Sequence, residues 1–399
     1  MPVKLKDGVY WVGAIDWNLR DFHGYITGRG ATYNSYLIID EKITLVDTVK
    51  EPFFGEMLER IKQVVDPAKI DYLICNHIEM DHSGALPEFI KQFGNVKILS
   101  TKMAQAGLAK LYGTGLPVET VKTGDTLSLG KKTLYFIEIP MVHWPDSMLT
   151  YIPEDKLLLS NDGFGQHIAT SGRFDDEVAE SEVMFEATKY YANLLIHLSP
   201  LIQNILKKVS ELNLEIDMIA PSHGIIWRKD PGKIIQAYSD WSLYKSREKI
   251  AVIYDTMWKS TEKMAKTLTD AITDSGIEVK MLKLRENHRS DIMAEILDAR
   301  GFLVGSPTIH RNLFPTVADL LCYMKGLKPQ KKVVSAFGSY GWSGEAVQQI
   351  VEALKEIQLD VIEPGVRAQY RPDDKEKDQL TSLARQMIEK VKIDSSVKN

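Results

Sequence analysis

The sequence predicts an α/β chain with two domains, a layered β-rich sandwich with helices outside and a doubly wound parallel sheet. Between residue 8 and about residue 48, short runs rich in Tyr, Ile, Val and Thr are broken by turn residues, which is typical of antiparallel strands. From residue 250 onward, five apolar segments alternate with five helical patterns, which is typical of a doubly wound sheet. We therefore expect domains at residues 1–248 and 249–399.

Within each domain the hydrophobic pattern predicts individual elements. In the first domain, helices are expected over residues 56–64 and 231–246, and strands over 72–75, 97–99, 134–139 and 157–159. In the second domain, five strands are expected near 250–254, 278–284, 302–305, 333–337 and 359–363. The intervening helices are expected near 261–275, 290–299, 315–325, 344–357 and 373–393. We place the boundary in the polar segment 245–249, because it directly precedes the first of these strands.

The composition disfavours several classes of protein. The 399 residues include 49 basic and 54 acidic side chains, a formal charge of -5, so we expect no nucleic-acid partner. No apolar run approaches the roughly 18 to 20 residues that cross a bilayer, so we expect no membrane contact. The two cysteines, Cys75 and Cys322, form no CxxC motif, which excludes a four-cysteine zinc or iron site. These features indicate a cytoplasmic protein.

A first group of polar residues has the composition of a metal site. His77, Glu79, Asp81 and His82 stand within six residues, where an apolar segment ends. A polar loop with two histidines is often only a solvated surface, but burying its carboxylates without a cation would cost several kcal/mol. Three further candidates lie at the ends of other apolar segments and are bracketed by Gly, Pro or Ser: His143, Asp162 and His223.

The motif HxExDH, followed by a lone His, Asp and His, resembles the metallo-β-lactamase superfamily, whose αββα sandwich presents a two-metal site on loops. In the zinc hydrolases of that superfamily the third motif position is His, whereas here it is Glu79. An anionic oxygen donor favours iron, and so points from hydrolysis towards redox chemistry. The resemblance implies one iron on His77, Glu79 and His143, another on Asp81, His82 and His223, and a bridging Asp162. Members of this family differ in whether the His82 position reaches the metal.

Three more residues could support the metal site. Asp47 matches the position of a buried Asp that orients the ligand loop in this superfamily. His23 and Tyr191 are candidate catalytic residues that could donate protons or hydrogen bonds, with a purely structural role as the alternative. His167 and His197 match no motif, and we expect them to be ordinary, partly buried histidines.

A second group of loops has the composition of a flavin site. After the strand at 250–254, a hydroxyl-rich loop precedes a helix, whose N-terminal amides favour a phosphate. Thr256, Ser260 and Thr261 match the hydroxyls of the flavodoxin phosphate loop, whereas Trp258 and Lys259 depart from its usual Thr and Gly. The lack of GxGxxG argues against a dinucleotide site.

Two later Gly-rich loops fall at the carboxyl ends of strands, where a flavin ring would lie. Their glycines would let backbone donors approach the ring, and their aromatic side chains could flank it. From the three loops together, the expected FMN-binding residues are Thr256, Met257, Trp258, Lys259, Ser260, Thr261, Pro307, Thr308, Ile309, Asn312, Gly338, Ser339, Tyr340, Gly341, Trp342 and Gly344.

The union of the two domains resembles the flavodiiron proteins, in their minimal two-domain class. The resemblance implies FMN and two irons, which together reduce nitric oxide to nitrous oxide, oxygen to water, or both. It also implies rubredoxin or a similar electron donor, and a head-to-tail homodimer or a dimer of dimers. Trp144, Trp227 and Trp342 could contribute to that interface, with intradomain packing as the alternative.

Two other functions remain open at this point. One is a zinc metallo-hydrolase fused to a flavodoxin-like electron-transfer domain, against which Glu79 argues. The other is an electron-transfer flavoprotein with a relict metal domain, which is disfavoured because every expected ligand position is filled. The preference between nitric oxide and oxygen, and the identity of the donor, do not follow from the sequence.

Overall fold

The computed structural model describes residues 1–94 and 96–396, and the chain divides into two compact units. The first unit contains Met1–Tyr190 and Pro200–Ser239, and the second contains Tyr191–Ser199 and the chain from Asp240 onward. Because the chain enters the second unit twice, no single cut separates them. The domain boundary between residues 248 and 249 stays a prediction.

The first unit contains two larger sheets and seven α-helices within the described ranges. Its strands are β1 Val3–Lys6, β2 Val9–Trp11, β3 Ala14–Asp16, β4 Asp21–Phe22, β5 Tyr25–Ile26, β6 Ala31–Tyr33, β7 Tyr36–Ile38, β8 Ile43–Val46, β9 Ile70–Ile74, β10 Lys97–Ser100, β11 Val118–Thr120, β12 Thr126–Ser128, β13 Thr133–Glu138, β14 Met148–Ile152, β15 Leu157–Leu159 and β16 Met218–Ala220. Its helices are α1 Phe54–Lys62, α2 Met80–Ser83, α3 Leu86–Phe93, α4 Lys102–Tyr112, α5 Glu180–Tyr190, α6 Ser199–Glu211 and α7 Pro231–Ser242. Two short ribbons, β3 with β6 and β4 with β5, stand beside the sheets.

Successive side chains of the strands point to opposite faces of the sheet, and they form two hydrophobic cores in this unit. The larger sheet has the order β1-β2-β7-β8-β9-β10-β11, and the smaller one β12-β13-β14-β15-β16. Along β9, Leu73 packs towards α1, α3 and α4, whereas Ile74 faces the opposite core with Phe136 of the smaller sheet. The predicted strands are confirmed, and the predicted helix 231–246 ends four residues earlier, at Ser242.

The second unit has the predicted doubly wound sheet. Its strands are β17 Arg247–Tyr254, β18 Glu278–Lys283, β19 Ala299–Pro307, β20 Val333–Tyr340, β21 Asp360–Val361 and β22 Val366–Gln369. Its helices are α8 Ser260–Thr273, α9 Arg289–Asp298, α10 Pro315–Leu327, α11 Glu345–Glu356 and α12 Asp374–Ser396. The order is β18-β17-β19-β20-β21, and every pairing is parallel.

The fifth strand differs from the prediction of one strand over 359–363. Two short strands, β21 and β22, pair in turn with β20. Pro364 stands between them and has no amide hydrogen to donate to a ladder, so one continuous strand is interrupted there. In the described part of the chain, none of the helices combines the length and apolar character needed to cross a membrane.

Candidate functional site

The loop after β9, which carries four of the predicted ligands, is held by a buried carboxylate. Asp47 accepts hydrogen bonds from the backbone nitrogen of Asn76 at 2.7 Å and from its side-chain amide at 3.2 Å. Thr150 donates to the Asn76 side-chain oxygen at 2.7 Å. Burial raises the pKa of Asp47 to about 6. Asp47 therefore fixes the residue directly before His77.

The structure brings the seven predicted metal ligands together in two groups. In each group, one nitrogen or oxygen atom of every side chain lies within 4.8 Å of the others. The side chains come from the loop after β9 with α2, and from the loops that follow β13, β15 and β16. The first group consists of His77, Glu79, His143 and Asp162, and the second of Asp81, His82 and His223.

Asp162 faces both groups. Its Oδ2 atom lies 3.0 Å from His143 Nε2 and 3.7 Å from His77 Nε2. Its Oδ1 atom lies 3.3 Å from the Nε2 atoms of His82 and His223. One carboxylate thus offers an oxygen to each group, which is the arrangement required of a ligand that bridges two metal ions.

The charges in this pocket act strongly on one another. Burial lowers the pKa of His143 and His223, but neighbouring carboxylates outweigh it and raise these pKa values to about 9 and about 10. Burial raises the pKa of Glu79, but hydrogen bonds from three histidines outweigh it and hold this pKa well below its usual range. The pocket is therefore an environment that stabilises positive charge.

The donor atoms fit metal ions. Both carboxylate oxygens of Asp81 and the Nε2 atoms of His82 and His223 are buried, and none makes a hydrogen bond within the described ranges. Carboxylates crowded together in a buried pocket need cations, or hydrogen bonds to each oxygen, to offset their desolvation. Imidazole nitrogens and carboxylate oxygens are ligands of zinc and of non-haem iron. The residues therefore fit a pair of divalent cations.

The outer wall of the pocket contains two further histidines. His23, at the tip of the β4–β5 hairpin, has its Nε2 atom 3.2 Å from Glu79 Oε1. The ring of His167 is buried and centred 4.7 Å from the ring of His223. We expected His167 to be an ordinary, partly buried histidine, but it contacts a predicted ligand. Its place five residues after Asp162, on the same loop, was the available signal.

The structure does not bring Tyr191 to this group. Its hydroxyl lies 2.9 Å from Ser199 Oγ, and its ring packs on Trp241, within the second unit. The preceding Tyr190 ends α5, with its ring 5.1 Å from that of His167. Neighbouring helical side chains point about 100° apart, so only one of two adjacent tyrosines can face the pocket. This placement argues against the catalytic role predicted for Tyr191.

The hydroxyl-rich loop after β17 is anchored at its start by Asp255. This buried carboxylate accepts hydrogen bonds from Thr256 N at 2.7 Å and from Thr316 Oγ1 at 2.5 Å, and it pairs with Arg285 at 3.3 Å. The Thr256 hydroxyl is buried and makes no hydrogen bond in the described part of the chain. At the other end of the loop, Lys259 adopts a φ of 66° and directly precedes α8.

The three predicted flavin loops follow β17, β19 and β20, which are neighbours in the sheet, so they share one edge. Thr261 Oγ1 lies 2.9 Å from Ser339 Oγ, and Thr308 N donates to Ser339 O at 2.8 Å. A Cβ at Gly338 would lie 2.2 Å from Ser306 O, so only glycine fits there. These contacts join the loops into one surface.

Exposed aromatic side chains stand on that surface. Trp258 is 83% exposed and Trp342 is 76% exposed, unusual values for the largest apolar side chain. Tyr370, which directly follows β22 and donates its backbone N–H to Tyr340 O, is also exposed. Sequence reasoning missed Tyr370, because the split of the fifth strand was not anticipated. By contrast, Trp227 is buried and donates to Phe164 O, so it packs within its own unit.

Comparison with known proteins agrees with this architecture. Residues 31–224 match the model of the ODP family beta lactamase, and residues 252–381 match the flavodoxin model. A nitric oxide reductase of Moorella thermoacetica is 50% identical over 394 residues, which cover 98% of this chain and 99% of the relative.

Two solved structures cover nearly the whole chain. The rubredoxin oxygen:oxidoreductase of Desulfovibrio gigas has a TM-score of 0.96 at 40% identity and covers 98% of this chain and 99% of its own. The flavodiiron protein of Giardia intestinalis has a TM-score of 0.94 at 37% identity and covers 98% and 97%. The chain joins a β-lactamase-like unit with a cluster of candidate metal ligands to a flavodoxin unit, and it belongs to the flavodiiron proteins.

Proposed function

We propose that this protein is a flavodiiron reductase that converts nitric oxide to nitrous oxide, oxygen to water, or both. The position of Asp162 carries the proposal, because its two oxygens face two separate groups of histidines. A site for a single metal ion has no need of such a residue, and the anionic Glu79 then favours two irons over the two zincs of a hydrolase. The names of the relatives, a nitric oxide reductase and a rubredoxin oxygen:oxidoreductase, support the same class of reaction.

The metal pocket would hold two irons. The first would be bound by His77, Glu79 and His143, the second by Asp81, His82 and His223, with Asp162 between them. When bound, such an iron pair supplies electrons to a gas molecule held at adjacent sites. Glu79 supports iron over zinc, because an anionic oxygen donor takes the place of a neutral imidazole.

The side chains beside the proposed iron ligands would have different roles. Glu79 Oε1 faces His23 Nε2 at 3.2 Å, so His23 can hold a proton at the edge of the pocket while the other Glu79 oxygen faces His77. Phe22 stacks on His23 with ring centroids 3.9 Å apart. This apolar ring and the ring of the buried His167 both pack against His223. A gas molecule would be reduced close to a side chain that can supply a proton.

The second unit would hold FMN, which accepts electrons and passes them on one at a time. The N-terminus of α8 and the hydroxyls of Thr256, Ser260 and Thr261 would bind its phosphate. The buried, unbonded Thr256 hydroxyl supports this assignment. The loops after β19 and β20 would hold the ring, with Trp258 and Trp342 beside it.

The surface around the flavin loops suits an acidic electron donor of the rubredoxin type. The residues 256–261, 307–312, 340–344 and 366–372 contain no carboxylate, although the chain as a whole is acidic. They do contain four exposed cations, Lys259, Arg311, Arg367 and Arg371. Charge complementarity of this kind accelerates encounter with an acidic partner. We place the reaction in the cytoplasm, with the donor.

We further propose a head-to-tail homodimer, alone or within a dimer of dimers. Each unit exposes apolar side chains beside its own site: Met80, Met141 and Trp144 near the metal ligands, and Trp258 and Trp342 on the flavin loops. Such patches are typical of surfaces covered by a partner. A two-fold axis would cover both patches with one kind of contact.

Metal analysis together with a flavin spectrum tests the proposed reaction. Protein expressed anaerobically should contain about two irons and one FMN per chain, and should consume nitric oxide or oxygen when its flavin is reduced. Protein that holds two zincs, and shows no gas consumption after iron reconstitution, would instead support the metallo-hydrolase. A chain with FMN but no bound metal would support an electron-transfer flavoprotein.

A further inference from the structure

The loop after β16, which presents His223, takes much of its support from one residue. Asn34 donates its backbone N–H to Ser222 O at 2.8 Å. Its side-chain amide donates to Pro221 O at 2.8 Å and to Gly224 O at 3.2 Å. Asn34 is fully buried. It therefore donates to three carbonyls of this loop, two before His223 and one after it. Gln166 supports the same loop at other groups, where it bonds His223 O and both backbone groups of Ile225.

The orientation of the Asn34 amide is fixed by the chemistry of its partners. Its Oδ1 atom accepts a hydrogen bond from Trp11 Nε1 at 2.8 Å. An indole N–H can only donate and a backbone carbonyl can only accept, so only one of the two amide orientations satisfies all these groups. The Trp11 ring is buried and lies 4.9 Å from the guanidinium of Arg60 and 5.0 Å from that of Arg173.

The bonds from Asn34 continue to the predicted ligand itself. His223 Nδ1 donates to Thr32 O at 2.7 Å, and Gly224 N donates to Thr32 Oγ1 at 2.6 Å. The Nε2 atom of His223 then faces Asp81 Oδ2 at 3.0 Å. The loop lies outside the regular ladders, so these side-chain bonds satisfy groups that would otherwise be buried without partners.

We propose that Asn34 is a positioning residue that sets the His223 side of the metal pocket before metal binds. The inference rests on the proposed di-iron function. Because the loop is already ordered, metal binding does not have to offset the entropy of fixing it. Residues that orient metal ligands typically contribute about ten- to hundredfold to metal affinity. Asn34 is therefore expected to affect the second metal group, Asp81, His82 and His223, more than the first.

Asn34→Asp tests this role directly. The carboxylate can still accept from Trp11, but it places an oxygen against the carbonyls of Pro221 and Gly224 where the wild type has an N–H. Chelator challenge of the holoprotein measures how firmly iron is retained, and FMN content is measured on the same sample. We expect one of the two irons to bind about ten- to hundredfold more weakly, and FMN content to stay unchanged.

Trp11→Phe is the matched control, because it removes the other hydrogen bond of the same amide and leaves those to the loop. It should retain both irons more firmly than Asn34→Asp. Asn34→Ala removes the amide without adding a charge and gives the same readout if the Asp variant does not fold. Unchanged iron retention in either Asn34 variant, or equal loss in Trp11→Phe, would overturn the role. Wild-type protein that binds no metal pair would contradict the proposed function instead.

Thermal unfolding of the metal-free variants separates positioning from general stability. If Asn34 only stabilised the fold, the metal-free variant would unfold earlier, and its folded fraction would bind iron normally. If Asn34 positions His223, iron affinity falls in protein that is fully folded. Normal iron affinity in the folded fraction of the variant would therefore contradict the proposal.

Discussion

Asp146 Oδ2 lies 2.8 Å from His77 Nδ1, and the same oxygen accepts the backbone N–H of Ile78 at 2.8 Å. A carboxylate can only accept, so His77 carries a proton on Nδ1, and Nε2 is the ring nitrogen that faces the metal group. Asp146 is buried and belongs to the loop that also carries His143. One carboxylate thus joins two of the loops that supply predicted ligands.

Asp146→Asn is expected to weaken metal binding at the first group about ten- to hundredfold. The amide oxygen can still accept one hydrogen bond, but the negative charge that makes His77 Nε2 a stronger ligand is lost. Competition with a chelator, followed by metal analysis, measures the change. Asp7→Asn is the matched control, because the Asp7 side chain is 98% exposed. Equal metal retention in the two variants would show that the Asp146 charge has no effect.

Glu79→His restores the ligand pattern of the zinc hydrolases. Zinc affinity relative to iron should rise, and reduction of nitric oxide and oxygen should cease, because a neutral donor replaces an anion on one iron. The 3.2 Å contact between His23 Nε2 and Glu79 Oε1 would also be lost. Metal content after growth with both metals, and gas consumption, are the measurements. A variant that keeps iron and near-normal turnover contradicts the argument from ligand charge.

The fold was predictable from the sequence where apolar segments and helical patterns alternate regularly over a long stretch of the chain. The alternation of strands and helices after residue 247 predicted the first four strands and the five helices to within a few residues, because the central strands β17, β19 and β20 are mostly buried and apolar. The fifth strand was the exception. A break at one proline divides a short apolar run, and run length alone does not reveal that β21 and β22 pair separately with β20.

The candidate site was predictable where a motif carries its own spacing. The ligands near residue 80 stand together in the sequence, whereas Asp146 is 69 residues from the His77 that it orients. Contacts over such distances depend on how loops converge, which no local pattern encodes. The sequence predicts a catalytic role for Tyr191, but which of the adjacent Tyr190 and Tyr191 faces the metal ligands depends on the rotation of the helical segment about its axis and not on residue type.

Lys332 is expected to make the stability of the second unit depend on pH. The side chain is fully buried, its Nζ donates to Leu297 O and Ala299 O, and burial lowers its pKa to about 7. The ordinary value is 10.5, so between about pH 7 and 10.5 the unfolded chain binds the extra proton. Stability from this group therefore rises with pH across that window, by about 1.4 kcal/mol per pH unit at most.

Lys332→Met should remove that slope, so any gain in stability over wild type at pH 6 should shrink as the pH rises towards 10. Calorimetric unfolding at several pH values measures it. Lys375→Met, at an exposed position of α12, should leave the slope unchanged. Parallel pH profiles for wild type and Lys332→Met would mean that the buried amine stays charged in the folded protein.

Charge reversal at the flavin loops should weaken the encounter with a reduced, acidic donor such as rubredoxin. For Lys259→Glu and Arg311→Glu we expect a higher KM for the donor, on the order of tenfold at low salt, with smaller differences as salt rises. Steady-state reduction of nitric oxide or oxygen at several salt concentrations measures this. Lys207→Glu, at a side chain that is 78% exposed in the first unit, is the control. If the KM for the donor changes neither with salt concentration nor with these substitutions, the donor docks on a different surface.

Complementation between two inactive variants tests the proposed head-to-tail dimer. One variant would lack iron through His77→Ala and His143→Ala, and the other would lack FMN through Ser260→Glu at the start of α8. In a two-fold dimer, each flavin would serve the irons of the other chain, so a mixed dimer contains one complete path.

Mixed dimers formed by co-expression should therefore recover part of the gas-reductase turnover that both parent proteins lack. Two different affinity tags allow the mixed species to be isolated and its composition proved. The exposed Trp342 offers a second test, because Trp342→Glu should weaken the contact and reduce activity with no loss of bound iron. If isolated mixed dimers stay inactive while each chain keeps its remaining cofactor, electrons pass within one chain. The apolar patches beside the two sites would then need another explanation.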